Sequence, residues 1–280
     1  MNIEDHKLLI FDLDGTLYED TDHFEYHAKN LQQKLPVDKQ EAFWKEYQEM
    51  LEGKHSLTIG SVYDTRNDVI LTIDPETYLV QEVREWSGEK WDVSQVQKVY
   101  SNKILLDFSN FVAIGDGWWL PFANAIHYGL TTDDTYDSYV KTKEYMVSEQ
   151  FQLTITPGLN EQLREWGKER TLVLLTNSEA YDVNNLLTSL QLQDVFDEVV
   201  PSAMKPGQTE YHFTNMMEKW QVSSEETISI GDNFINEIAP AVQLGMKAIL
   251  INSASADVHH PYVQVISSMQ EICNTKSSEA

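Results

Sequence analysis

Five short apolar runs in this chain each close on a polar or turn residue, and four of them fall in its second half. Leu8-Leu9-Ile10-Phe11 closes on Asp12-Leu13-Asp14-Gly15-Thr16. Leu172-Val173-Leu174-Leu175 closes on Thr176-Asn177, and the run from Phe196 to Val200 on Pro201. Ile228-Ser229-Ile230 closes on Gly231-Asp232, and Ala248-Ile249-Leu250-Ile251 on Asn252. Runs of this length bounded by turn residues read as buried strands. Between the later runs lie stripes at helical spacing: Leu159, Leu163 and Trp166 before Gly167; Val183, Leu186, Leu187 and Leu190, with Ser178 as a candidate N-cap; Phe213, Met216, Met217 and Trp220; and Ile235, Ile238 and Val242 before Gly245. Pro240 fits the last stripe if that helix starts near Asn236, because the first turn needs no N–H from it. Strands alternating with helices from about 151 to 252 predict βαβ units and a parallel sheet. The strand ending at Asp12 joins that sheet across an insertion of roughly 18–150.

The insertion has a character of its own. Residues 22–53 read as two helices broken at Pro36, with Phe24, Ala28, Leu31, Phe43, Tyr47, Met50 and Leu51 on the stripes. Residues 92–106 and 134–148 read as helical, and Val69-Ile70-Leu71 as either a strand or a buried helical turn. Trp44, Trp86, Trp91, Trp118 and Trp119 all fall here, against two tryptophans elsewhere. So many large rings need their own core, which predicts a folded module. The tail from Asn274 to Ala280 is short and polar, and is expected to fray.

Composition narrows the function. Of 280 residues, 20 are Lys or Arg and 45 are Asp or Glu, a formal net charge of −25. Such a surface repels phosphate backbones and anionic membranes, so nucleic-acid and membrane partners are disfavoured. The single cysteine, Cys273, allows neither an intrachain disulfide nor a cysteine-based zinc site. No apolar run approaches a membrane span. The first residues lack the basic and apolar regions of a signal peptide, which points to the cytoplasm.

Ligands of open parallel sheets bind at the carboxyl ends of the strands. Four polar sets sit at such ends: Asp12 with Asp14, Thr176 with Asn177, Lys205, and Asp232. Asp12 and Asp14 start on the same side of their strand, and Gly15 lets the chain turn away. Asp12, Asp232 and a backbone carbonyl near Asp14 are hard oxygen donors suited to Mg²⁺, which would offset the repulsion between carboxylates and favour an anionic phosphoryl group. Asp12 is then placed to act as nucleophile, forming an aspartyl-phosphate. Asp14 is placed to protonate the leaving oxygen and then activate water. Thr176, the N–H of Asn177 and Lys205 are candidates to hold the equatorial oxygens.

The same residues resemble the motifs of the haloacid dehalogenase-like (HAD) hydrolase superfamily. The first motif is Asp12-Leu13-Asp14-Gly15-Thr16-Leu17, the second Leu174-Leu175-Thr176-Asn177, the third Lys205-Pro206, and the fourth Gly231-Asp232-Asn233-Phe234-Ile235-Asn236-Glu237-Ile238. The resemblance covers roughly 7–17 and 151–252. It implies an α/β fold: a Rossmann-like parallel-sheet core over 1–17 and 151–280, with a mainly helical C1-type cap domain over 18–150 inserted after the first strand and closing over the site. It implies a phosphatase-type member: a Mg²⁺-dependent phosphomonoester hydrolase acting on a small soluble phosphorylated metabolite, with Asp12 and Asp14 catalytic, Thr176, Asn177 and Lys205 binding phosphate, and Asp12, Asp14 and Asp232 at the metal. Phosphomutase, 2-haloacid dehalogenase and non-catalytic binding module are the alternatives on the same fold. Glu237 departs from the usual second Asp of the fourth motif, and Gly207-Gln208-Thr209 from the usual continuation of the third.

Three further features have structural readings. Gly115-Asp116-Gly117-Trp118-Trp119 imitates the fourth motif but lies in the insertion, where it reads as a tight turn, with a substrate-facing cap loop as the alternative. His23 and His27, at i and i+4 with no third ligand near, read as a solvated helix face. His259-His260 reads as a surface loop.

Overall fold

A computed structural model describes residues 2–75, 77–151, 153–251 and 259–273. Asn252, expected to close the last strand, and the tail from Asn274 lie outside the described residues. The chain divides into two compact units, 1–20 with 151–280, and 21–150.

In chain order, β1 (Leu8–Phe11) comes first. The second unit follows, with α1 (Asp22–Lys34), α2 (Val37–Leu51), β2 (Val62–Asp64), β3 (Val69–Ile73), β4 (Val80–Glu85), α3 (Val93–Val99), β5 (Phe111–Ala113), α4 (Trp119–His127) and α5 (Thr132–Met146). The first unit resumes with α6 (Leu159–Trp166), β6 (Thr171–Leu175), α7 (Ala180–Ser189), β7 (Glu198–Val200), α8 (Thr209–Trp220) and β8 (Thr227–Gly231). It ends with α9 (Ala239–Gln243), β9 (Lys247–Ile251), β10 (Val263–Ile266) and α10 (Gln270–Cys273).

In the first unit six strands form one sheet in the order β10-β9-β8-β1-β6-β7. Every pairing is parallel, as the alternating pattern predicts. All four residues of β1 are buried, which is what a central strand covered on both faces requires. On one face Leu8 and Ile10 pack with Val173, Leu175, Phe213, Met216 and Ala248. On the other, Phe11 lies against the rings of Trp166 and Phe196, with centroids 6.2 and 6.1 Å away. Each such side chain contributes about 1.5–3 kcal/mol when fully buried. The edge strand β10 is missing from the sequence reading, because Val263–Ile266 carries only one fully buried residue. Pro240 sits in the first turn of α9, after a single π-helical turn at Phe234–Ile238.

The second unit pairs its helices with a four-stranded antiparallel sheet, order β4-β3-β2-β5. The unit is mainly helical, as expected, and the sheet is an addition to that reading. Val69-Ile70-Leu71 resolves as strand β3. β2 beside it and β5 beyond β2 are three residues each, too short to show an alternation. Tyr47, Met50, Tyr63, Ile70, Trp86, Val112, Ile114 and Leu120 form one core. Gly115–Gly117 forms a turn, in which Asp116 Oδ1 accepts from the Trp118 N–H at 2.8 Å. A Cβ on Gly117 would stand 2.4 Å from the Phe24 ring.

His23 and His27 are a correction. Both are buried, at 1% and 3% exposure. Their rings pack at steep angles against Trp118, at 5.0 and 5.1 Å between centroids, and His27 Nδ1 lies 3.3 Å from Thr142 Oγ1. Packing against α5 and Trp118 covers a face that local sequence alone leaves open. His259 is exposed and His260 partly so, as a surface loop requires.

Candidate active site

The sheet order places β1 between β8 and β6, with one neighbour reached through the insertion and the other late in the chain. This is a switch in strand order, the place where open α/β sheets form a crevice at their carboxyl ends. In register, Phe11 lies opposite Leu174 and Ile230. The next residue on each strand end is therefore polar or Gly-flanked: Asp12, Thr176 one step on, and Asp232 after Gly231. The Asp12 N–H still donates to the Ile230 carbonyl at 2.9 Å, which keeps its backbone in the ladder.

The centre of the site is Lys205. Its Nζ donates to Asp12 Oδ1 and to Glu237 Oε1, both at 2.6 Å. All three residues are buried, with 2%, 7% and 3% exposure, so one ammonium faces two carboxyl groups in a low dielectric. Burial pushes the Asp12 carboxyl above its ordinary range, against the pull of the ammonium. Burial likewise pushes Glu237 up, to about 8. For Lys205 burial works in the other direction, but Asp12 and Glu237 outweigh it and hold the ammonium above its usual range.

Two loops hold the lysine in place. Asn177 Oδ1 accepts from the Lys205 N–H at 2.7 Å, and its Nδ2 donates to the Lys205 carbonyl at 2.9 Å. The Ala203 N–H donates to the Thr176 carbonyl at 3.0 Å. The Asn177 side chain thus binds protein, which leaves its backbone N–H as the group for a ligand. Thr176 is buried, and its Oγ1 accepts from the Ser178 N–H at 3.1 Å. Glu237 is anchored by the Asn233 N–H, which donates to Oε2 at 3.0 Å. The β-carbon of Glu237 leaves no room beside Gly231, where an added Cβ would lie 2.6 Å from its Cγ. Glu237 is thereby a partner of the lysine, a role its place in the fourth motif does not disclose.

Asp14 and Asp232 are half-buried. Asp14 Oδ1 accepts from the Tyr18 hydroxyl, and Oδ2 from Ser178 Oγ at 2.8 Å. Ser178 is therefore not the N-cap of α7; that position is Glu179, with no side-chain cap. Asp232 is pressed against Gly15, whose added Cβ would stand 2.2 Å from Oδ2. Among the described residues no group of three or more His, Cys, Asp or Glu side chains stands together to hold a metal ion. The Asp14 carboxylate is engaged by hydroxyls; the Asp12 and Asp232 carboxylates and the Asp14 carbonyl are hard oxygen donors, which fit an ion of the Mg²⁺ type that keeps several waters.

The family model described as haloacid dehalogenase-like hydrolase matches residues 123–251. Among curated proteins none matches the sequence. Among solved structures, the chain is similar to YfnB from Bacillus subtilis, assigned to the HAD hydrolases and bound to magnesium, at TM-score 0.51 and 17% identity, covering 95% of this chain and 96% of that one. It is also similar to a predicted phosphoglycolate phosphatase from Haemophilus somnus, at TM-score 0.51 and 13% identity, covering 97% and 98%. A haloacid dehalogenase-like hydrolase assigned in Bacteroides fragilis scores 0.51 at 13% identity, covering 95% and 99%. These likenesses concern the fold. The family match over residues 123–251, the parallel sheet and four strand-end motifs in order make the chain similar to the haloacid dehalogenase-like hydrolases.

Proposed function

We propose that this chain is a Mg²⁺-dependent phosphomonoester hydrolase acting on a small phosphorylated metabolite. The observation that carries the reading is the buried Lys205, bonded to Asp12 at a strand end where the carboxylate would otherwise face a low dielectric alone. An ammonium there steadies a nucleophile and offers charge to a phosphoryl oxygen.

Asp12 attacks phosphorus with a carboxylate oxygen while Asp14 gives its proton to the departing ester oxygen. The products of this step are the free alcohol and an aspartyl-phosphate on Asp12. Asp14, now a carboxylate, takes a proton from water, which attacks phosphorus and releases inorganic phosphate with Asp12 restored. Thr176 and the Asn177 N–H orient the phosphoryl oxygens, and Lys205 stabilises the charge they gather. Asp12, Asp232 and the Asp14 carbonyl would hold Mg²⁺, which when bound supplies charge neutralisation and polarises the phosphoryl group. The unit 21–150 is assigned the substrate-selecting role of a cap.

The test is a panel of phosphomonoesters assayed with Mg²⁺ and with EDTA. Phosphate release that requires Mg²⁺ supports the reading. Halide release from 2-haloacids in EDTA, with no phosphate released from any ester, would refute it and favour dehalogenation. Transfer of the phosphoryl group to a second hydroxyl in preference to water would make the chain a mutase.

A further inference from the structure

We propose that Tyr18 is a positioning residue that, together with Ser178, fixes the carboxyl group of Asp14 for proton transfer to the leaving group; this rests on the phosphohydrolase reading. Asp14 lies just past β1, in a loop that local geometry would leave loose. The chain turns back on itself there: the Leu17 N–H donates to the Leu13 carbonyl at 2.9 Å, Gly15 takes φ +74°, and Asp14 and Tyr18 form a single bridge. The turn returns a phenol from position i+4 to the carboxylate at position i.

Tyr18 is wholly buried, at 0% exposure, so its ring is held by packing and its hydroxyl has little freedom. That hydroxyl donates to Asp14 Oδ1, and Ser178 Oγ, on the loop after β6, donates to Oδ2. One carboxyl group gripped at both oxygens from two separate segments cannot rotate about its Cβ–Cγ bond without losing both contacts. Each grip is a hydroxyl, which accepts as readily as it donates. The clamp can therefore hold the group both as acid and as carboxylate, which an N–H donor could not do. A structural account of the same contacts exists: a buried phenol needs a hydrogen-bond partner, and Asp14 could serve only as that.

The leaving group separates the two accounts. Phenyl phosphate needs its leaving oxygen protonated, whereas 4-nitrophenyl phosphate departs as a stabilised anion and needs little help. Tyr18→Phe keeps the ring and removes only the hydroxyl. If Tyr18 positions the acid, kcat/KM on phenyl phosphate, which reports the steps through departure of the leaving group, falls about tenfold or more, within the 10²–10⁴ that general acid catalysis is worth. On 4-nitrophenyl phosphate kcat/KM falls less than about threefold, while kcat carries in addition the hydrolysis of the aspartyl-phosphate, a step both esters share. Ser178→Ala shows the same asymmetry and serves where Tyr18→Phe does not fold. Equal losses of kcat/KM on both esters would overturn the positioning role while leaving the hydrolase reading intact. Wild-type protein that hydrolyses neither ester with Mg²⁺ would overturn both.

Discussion

Replacing Gly15 by alanine tests how tightly the first and fourth motifs are joined. The added Cβ would lie 2.2 Å from Asp232 Oδ2, 2.5 Å from its Cγ and 3.2 Å from its Cβ. Rotating the carboxylate about its last bond does not relieve a contact at Cγ, so the whole group must swing away. Ordinary contact begins near 3.4 Å, and the oxygen must retreat by roughly 1 Å. A misplacement of that size in a reacting or metal-holding group costs roughly 10²-fold in rate. Separately, a φ of +74° costs an alanine about 1–2 kcal/mol. Gly15→Ala is therefore expected to lower kcat/KM about 100-fold, to raise the Mg²⁺ concentration for half-activation, and to lower Tm by several degrees. Gly53→Ala is the control. It has φ +67° and nothing within 4 Å of the added carbon, so it bears the backbone cost with unchanged Mg²⁺ activation. Activity is followed across a Mg²⁺ titration, and stability by thermal unfolding. A Gly15→Ala protein with wild-type Mg²⁺ activation would show that Asp232 has no part in holding the ion.

Two further predictions concern buried charge. His27 is pushed down to about 4, chiefly by burial and secondarily by Lys143. Below pH 6.5 the unfolded chain then binds a proton that the folded one refuses, so stability is lost as pH falls towards 4. The loss from pH 7 to pH 5 is about 2 kcal/mol. Urea unfolding of wild type and His27→Gln at both pH values should show the variant losing about that much less; parallel losses would mean His27 is not held neutral. Lys205→Met leaves Asp12 and Glu237 buried together without their cation. Breaking a buried ion pair in this way costs about 3–5 kcal/mol, and the cost shrinks as pH falls and protons replace the lost ammonium. Denaturant midpoints at pH 8 and pH 5.5 measure this, and a penalty independent of pH would count against the charge argument.

What was legible in the sequence was local. Each motif of the site is a few consecutive residues at a strand end, and the strand period and turn chemistry place Asp12, Asp14, Thr176 and Asp232 without reference to the rest of the chain. Lys205 and its loop follow the same logic. What was not legible depends on pairs remote in sequence. Glu237 meets Lys205 across 32 positions and Ser178 meets Asp14 across 164. As a serine just before a helix, Ser178 reads locally as a cap. Tyr18 is nearer, four residues from Asp14, and its helix-like spacing was the one signal that could have exposed the clamp. The histidines of α1 read as solvated because α5, more than a hundred residues on, is what covers them. The sheet of the insertion escaped for a different reason: two of its four strands have three residues, too few for a measurable period.

The account stands or falls on a covalent phosphoryl group passing through Asp12. Acid-quenching the protein during turnover of a hydrolysed ester, followed by peptide mass analysis, reads this directly. The expected result is one phosphoryl group on the peptide bearing Asp12, absent when Asp12→Asn is treated the same way. Steady phosphate release with no label on that peptide, or wild-type turnover by Asp12→Asn, would contradict it.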